Sequence, residues 1–224
     1  MINDIPEVVI LRLPLYARVL AELEAQGTEV VSSQTLGNLL QSTPAQIRKD
    51  LSYFGRFGKQ GRGYRVSGLL KELRNILGLE RRWSVILVGV GRLGRAILSY
   101  EGFASQGFNV VAAFDSDPSA TGQRIGSTVV QPISDLPKVV DKHKIDIGIV
   151  AVPAEYCQAV VDLLVEQGIK AILNYAPVQP RVPRGVWVRD IDPVVALQSM
   201  TYHLKSAEEP APPQPRPGRR AAVS

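Results

Sequence analysis

The chain has 224 residues, 45% of them hydrophobic, and a formal net charge of +5. That composition belongs to a folded chain of one large or two small domains, and no apolar run approaches the roughly 18 residues of a membrane span. One cysteine, Cys157, excludes an internal disulfide and any cysteine-built zinc cluster, and Asp4 and Glu7 open a segment unlike a secretion signal, so we expect a cytoplasmic protein with no metal and no membrane partner.

Residues 5–26 place Val9, Leu13, Tyr16, Leu20 and Leu23 on one helical face. Pro14 lies inside the pattern and predicts a short helix ending near Leu13 and a longer one starting there. Gly27 reads as the stop, and Ser32 or Ser33 caps a second helix carrying Leu36, Leu39 and Leu40. Thr43, with Pro44 at the first helical position, opens a third helix through Phe54. Ile47, Leu51 and Phe54 share its buried face, leaving Gln46, Arg48, Lys49 and Ser52 outward. Residues 57–66 then read as a β-hairpin with Lys59 and Arg62 at its glycine-rich tip. Three helices and a hairpin make a winged helix-turn-helix, whose third helix enters a DNA major groove.

The charge is concentrated there. Between Arg48 and Arg65 stand six basic residues and one acid, Asp50, a net +5 that equals the whole chain's. A solvated basic face is the bland alternative. Charge falling on the reading helix and the wing points instead to double-stranded DNA. The candidate contacts are Ser33, Gln46, Arg48, Lys49, Ser52, Tyr53, Lys59, Arg62, Gly63 and Tyr64. Ser67 caps a further helix through Leu70, Leu73 and Leu77 to Gly78, which completes a winged-helix domain over 1–79, and 80–82 read as a linker.

From Trp83 strands and helices alternate, the pattern of a Rossmann-like, doubly wound parallel sheet, over 83–190. Strand 85–88 empties into Gly89-Val90-Gly91-Arg92-Leu93-Gly94, a G-x-G-x-x-G turn. Gly89 permits the turn, Gly91 lets backbone approach a pyrophosphate and Gly94 lets helix and strand pack closely. A helix is expected over 95–105, and strand 108–114 ends at Asp115, about twenty residues past Gly94, where an acid holds the adenosine ribose and disfavours the extra phosphate of NADP. A strand at 128–130, a helix near 134–141, strand 145–152, helix 154–167 and strand 170–173 follow. Val152-Pro153 and Asn174-Tyr175-Ala176-Pro177 close two strands at their carboxyl ends, the ligand side, so we place them near the nicotinamide.

A strand-like piece, 186–189, precedes Asp192 and a last amphipathic helix, 194–204, whose apolar face needs a cover such as a partner subunit. Residues 206–224 are proline-rich and expected to be disordered. His143 lies at the wrong end of the sheet, His203 in the last helix and Cys157 inside a helix, so none has an evident catalytic role. A cofactor site without catalytic equipment suggests that the nucleotide is a signal. The alternative is an NAD- or CoA-binding module of an enzyme.

From about Ile5 to Leu204 the chain resembles the Rex family of redox-sensing transcriptional repressors. The resemblance rests on Arg12-Leu13-Pro14-Leu15-Tyr16, the run Gln46 to Gly55, Gly61-Arg62-Gly63-Tyr64, the glycine turn, Phe114-Asp115 and Asn174 to Pro177. It implies a homodimer, held through the Rossmann domain and a swapped C-terminal helix over 192–205. This dimer would bind an inverted-repeat operator of anaerobic or respiratory genes when NADH is scarce and leave it when NADH binds, with NAD⁺ competing weakly. It also implies that Arg48 and Lys49 contact the operator, that Arg62 lies on the wing and Tyr100 near the nicotinamide, and that Arg18, Tyr100 and Asp192 exchange partners between the two states. Pro193 stands where some relatives have an aromatic residue, and the tail has no counterpart.

Overall fold

The first helix, α1 (Glu7–Ala25), runs unbroken through Pro14, against the expected split. A proline inside a helix costs about 3 kcal/mol. Val9 and Leu13 before it and Tyr16, Ala17 and Leu20 after it are all buried along one stripe, and burying each large apolar side chain gains about 1.5–3 kcal/mol. Ile10, whose carbonyl loses its helical partner to Pro14, lies on the exposed face of the helix. Gly27, at φ +78°, ends the helix, and the Thr28 N–H reaches back to the Leu23 carbonyl at 2.9 Å.

The structure is a computed structural model that describes residues 5–55, 57 and 63–208, the last three by backbone alone. It divides into two compact units, residues 1–83 with 101–109 and residues 84–100 with 110–224.

In the first unit, β1 (Val30–Val31) leads to α2 (Ser33–Leu39), capped by Ser32, whose Oγ accepts the Thr35 N–H at 2.9 Å. The next helix, α3 (Pro44–Ser52), is capped by Thr43, which accepts the Gln46 N–H at 3.1 Å. It ends two residues before Phe54, which packs half-buried on the core from the following turn. Then β2 (Tyr64–Arg65) pairs antiparallel with β1, Val31 opposite Tyr64, so the partner of this strand is the segment that precedes α2 and not one within the hairpin expected over 57–66, whose tip lies outside the described residues. Lys59 and Arg62 lie outside the described residues. Helix α4 (Val66–Ile76) begins straight off β2 with Arg65 at its cap; Ser67, the expected cap, sits inside the first turn. Leu13, Tyr16, Leu20, Leu36, Ile47, Leu51, Val66 and Leu73 form the core.

The α/β part runs β3 (Trp83–Val88), α5 (Arg92–Leu98), α6 (Gly102–Ser105), β4 (Phe108–Asp115), β5 (Arg124–Ile125), β6 (Thr128–Pro132), α7 (Leu136–Lys142), β7 (Ile147–Val150), α8 (Ala154–Glu166), β8 (Ala171–Asn174), β9 (Trp187–Asp190) and α9 (Pro193–Glu208). The single helix expected over 95–105 is two: α5 starts at Arg92, directly off Gly91, and Ser99 and Gly102, weak helix formers, fall at the break. The sheet order is β5-β6-β4-β3-β7-β8-β9. Pairs β4–β6, β3–β7, β7–β8 and β8–β9 are parallel, and β5, a short strand the apolar pattern did not announce, pairs antiparallel with β6. The chain winds outward from β3 through β4 to β6, then returns to β7 on the other side. Helix α9 reaches Glu208, so the expected start of the tail at 206 falls within it; residues 209–224 are outside the described set.

Candidate functional site

The switch between β3 and β7 opens a cavity of about 710 Å³ at the carboxyl ends of the strands, within the ~300–1,000 Å³ of small-molecule sites. Its floor is the glycine turn. A Cβ on Gly89, at φ +96°, would lie 2.4 Å from the Ala151 carbonyl oxygen, and one on Gly94 would lie 2.0 Å from that of Gly89. Both glycines are therefore demanded by backbone crossing at contact distance. Gly91 lines the cavity and a Cβ there would meet no protein atom, so its missing side chain clears room on the ligand side. Gly91 is also the N-cap of α5, so the start of that helix borders the cavity.

Asp115, at the end of β4, ties the turn down. Its Oδ2 accepts the Val90 N–H at 2.6 Å and its Oδ1 the Asp117 N–H at 2.9 Å. Asp117 accepts the Ser119 hydroxyl at 2.7 Å and the Ser119 N–H at 2.8 Å, bonds that hold its carboxyl below the usual range.

Of the residues expected at a cofactor, Gly89, Val90, Gly91, Arg92, Asp115, Val152 and Pro153 line this cavity. Leu93 is exposed beside it and Gly94 is packed under the turn. Tyr100, 63% exposed, and Asn174 to Pro177 do not line it. Sequence reasoning missed Arg95, Ser116, Asp117, Ser119 and Tyr156. The loop after Asp115 and the turn spacing of Tyr156, Val160 and Leu163 on α8, which Pro153 precedes, were the available signals.

Asn174, expected at the ligand, is tied into the fold by its own side chain. It is fully buried, and its amide donates to the Ala176 carbonyl (3.2 Å), the Val178 carbonyl (2.8 Å) and Asp190 Oδ1 (2.8 Å). Its oxygen accepts the Ala176 N–H (3.0 Å) and the Cys157 thiol (3.5 Å). One side chain thus pins the 174–178 loop to α8 and to the end of β9. Burial, aided by the Asp190 charge, pushes the Cys157 thiol up, away from nucleophilic use. His143 borders a separate cavity of about 340 Å³ with Lys138 and Lys142, before β7 and so at the opposite end of the sheet. Among the described residues no three His, Cys, Asp or Glu side chains gather as a metal site, and no helix is long and apolar enough to cross a membrane.

In the first unit, α3 presents the expected basic face. Arg48, Lys49 and Ser52 are exposed and Ser33, Gln46, Tyr53, Gly63 and Tyr64 half-buried. Arg48 Nη1 donates to Ser33 Oγ at 3.0 Å, which brings two candidate contacts from α3 and α2 together. Burial raises the Tyr64 phenol, opposed by the Arg48 charge. Gly63, at φ +72°, passes so close to β1 that a Cβ would lie 2.6 Å from the Val31 carbonyl oxygen. The one acid of the segment is withdrawn: Asp50 is fully buried and accepts Arg12 Nε (2.6 Å) and Nη2 (2.8 Å), the Tyr16 hydroxyl (2.5 Å) and Gln46 Nε2 (2.6 Å). Burial alone would raise its pKa; the bonds from Arg12, Tyr16 and Gln46 outweigh it and hold the carboxyl below its usual range. Of the expected switch residues, Arg18 is exposed on α1, and Asp192 accepts the Val194 N–H at 2.8 Å, capping α9.

Comparison with known proteins agrees with both halves. A family model described as a putative DNA-binding protein N-terminus matches residues 4–52, and one described as a CoA-binding domain matches residues 80–178. The redox-sensing transcriptional repressor Rex of Chloroflexus aggregans is 54% identical over 204 residues, covering 91% of this chain and 96% of that one. A crystal structure of RSP with β-NAD⁺ and operator DNA superposes with a TM-score of 0.87 at 37% identity, over 92% of this chain and 95% of that one. RSP with β-NADH gives 0.84 at 35%, over 92% and 97%. The chain belongs to the Rex family of redox-sensing transcriptional repressors.

Proposed function

We propose that this chain is a homodimeric, cytoplasmic repressor, a regulator and not a catalyst, that holds an inverted-repeat operator when NADH is scarce and releases it when NADH enters the β3–β7 cavity. The observation that carries the reading is the presence, in one chain, of a cationic reading helix with its acid buried and a glycine turn whose cavity ends at Asp115. RSP, similar over 92% of the chain, was crystallised with operator DNA and with NADH. In this reading Arg48, Lys49, Ser33, Ser52 and Tyr53 meet the DNA with the wing, and the nicotinamide lies toward Val152, Pro153 and the 174–177 loop, near Tyr100.

A dimer supplies what α9 lacks. Val194, Leu197 and Leu204 are 55%, 61% and 65% exposed, an apolar face suited to a second copy. Two reading helices must sit about 34–36 Å apart to meet successive major grooves, and NADH shifts the dimer only by its differential affinity for the two states. Arg18, Tyr100 and Asp192 form the polar switch. Asp192→Asn, which keeps a cap acceptor on α9, should leave operator affinity measurable and raise the NADH needed for release; an unchanged release midpoint rejects the switch.

The deciding experiment is retention of a labelled inverted-repeat duplex at fixed salt, titrated separately with NADH, NAD⁺, NADPH and CoA. Release by NADH at the lowest concentration establishes the reading. Release by CoA favours a CoA-responsive protein, in keeping with the family model over 80–178. Nucleotide binding with no specific DNA binding returns the chain to the enzyme-module reading.

A further inference from the structure

Gln46 is the third residue of α3, and with Thr43 it spells a capping box, in which the amide turns back to the Thr43 N–H. It does not turn back here. Its Nε2 runs forward one turn and donates to Asp50 Oδ1 at 2.6 Å. Asp50 carries Arg12 on the same carboxylate and is held ionised, so it offers acceptors only. The amide is therefore oriented, nitrogen toward Asp50 and oxygen away. Among the described residues its Oε1 receives no hydrogen bond, and the side chain is half-exposed in the first turn of the reading helix, beside Arg48 and Lys49.

We propose that Gln46 determines base specificity, its amide fixed by Asp50 so that Oε1 and the remaining N–H present an acceptor–donor pair to an adenine in the major groove. Adenine offers N6–H₂ and N7 side by side, the match for that pair; guanine offers two acceptors there, cytosine a donor alone and thymine an acceptor with a methyl. A free glutamine turns its amide to suit either edge. The Asp50 bond removes that freedom and orders the side chain before DNA arrives. The proposal rests on the operator-binding reading.

The test selects duplexes from a random-sequence DNA pool with the full chain and with Gln46→Ala and Gln46→Met, the second keeping length without the amide. The expected result is an inverted repeat in which one A·T pair per half-site loses about tenfold of its preference in both variants while the other positions keep theirs. Replacing that adenine by 7-deazaadenine, which lacks N7, should weaken wild-type binding about as much and leave Gln46→Ala indifferent; this arm stands on the wild-type protein even if a variant folds badly. Unchanged base preferences in both variants, a lost preference for a pair other than A·T, or wild-type indifference to 7-deazaadenine overturns the proposal while operator binding stands. Recovery of no preferred sequence by the wild type overturns operator binding and the proposal with it.

Discussion

Asp50 stands among the basic residues of α3, and its burial decides how that charge behaves. Paired with Arg12 it neither dilutes the outer face nor reaches solvent. Removing one partner of a buried pair costs about 3–5 kcal/mol; Arg12 is a quarter exposed, so Asp50→Asn should cost about 3 kcal/mol, read as lost hydrogen-exchange protection in α1 and α3. Its folded-state pKa is depressed, so the pairing stabilises the fold above the ordinary carboxylate range, about pH 4, and that contribution is lost as pH falls through the folded value. Urea midpoints followed from pH 7 downward should decline more steeply for the wild type than for Asp50→Asn. Arg48→Ala and Lys49→Ala should each lower the slope of log affinity against log salt by about 1 where a phosphate contact is lost. An unaltered slope would mean that the lost contact was to a base. Arg12, Tyr16 and Asp50 were present in the motifs, yet their union was not legible, because Asp50 lies 38 residues from Arg12 and only the α1–α3 packing brings them within 2.6 Å.

At the scale of elements, glycines separate by what they touch. A Cβ on Gly94 meets backbone at 2.0 Å, whereas one on Gly148 meets the tip of the Leu164 side chain at 2.8 Å. Gly148→Ala should cost about 1–3 kcal/mol, as overpacking does, and leave nucleotide affinity nearly intact. Gly94→Ala must part α5 from the turn after β3 and should lower NADH affinity more than tenfold in a calorimetric titration. Equal affinities for the two variants would show that α5 moves freely. The G-x-G-x-x-G spacing announced this turn from the sequence because Gly89 and Gly94 serve backbone crossings and Gly91 keeps the cavity side clear. The helix breaks were less legible: α1 survives Pro14 through tertiary burial on both sides of it, and α5 stops early despite a helical text.

For the whole molecule, two units with separate cores imply separable lesions. A ligand at 100 times its Kd stabilises what binds it by about 2.7 kcal/mol. NADH should therefore protect β3, β4 and β7 from exchange in wild type and equally in the Arg48→Ala, Lys49→Ala double variant, which should no longer retain operator DNA. Asp115→Ala should do the reverse, holding DNA while NADH protection and release both weaken. If the double variant also lost NADH protection, the two sites would not be separable.

The amino-acid sequence by itself determined most of the helices and strands, the place of the basic segment, the glycine turn and the acid that ends the next long strand, because these depend on local periodicity, capping and short-range spacing. Only the tertiary structure decided which polar groups are spent inside the protein. Asn174, expected near the ligand at a strand end, is buried under five hydrogen bonds, and Asp50, counted as the one acid of the basic segment, is locked to Arg12. The physical reason is the same in both cases. A buried polar group must find partners, and which partners lie within reach is set by packing between segments far apart in the chain.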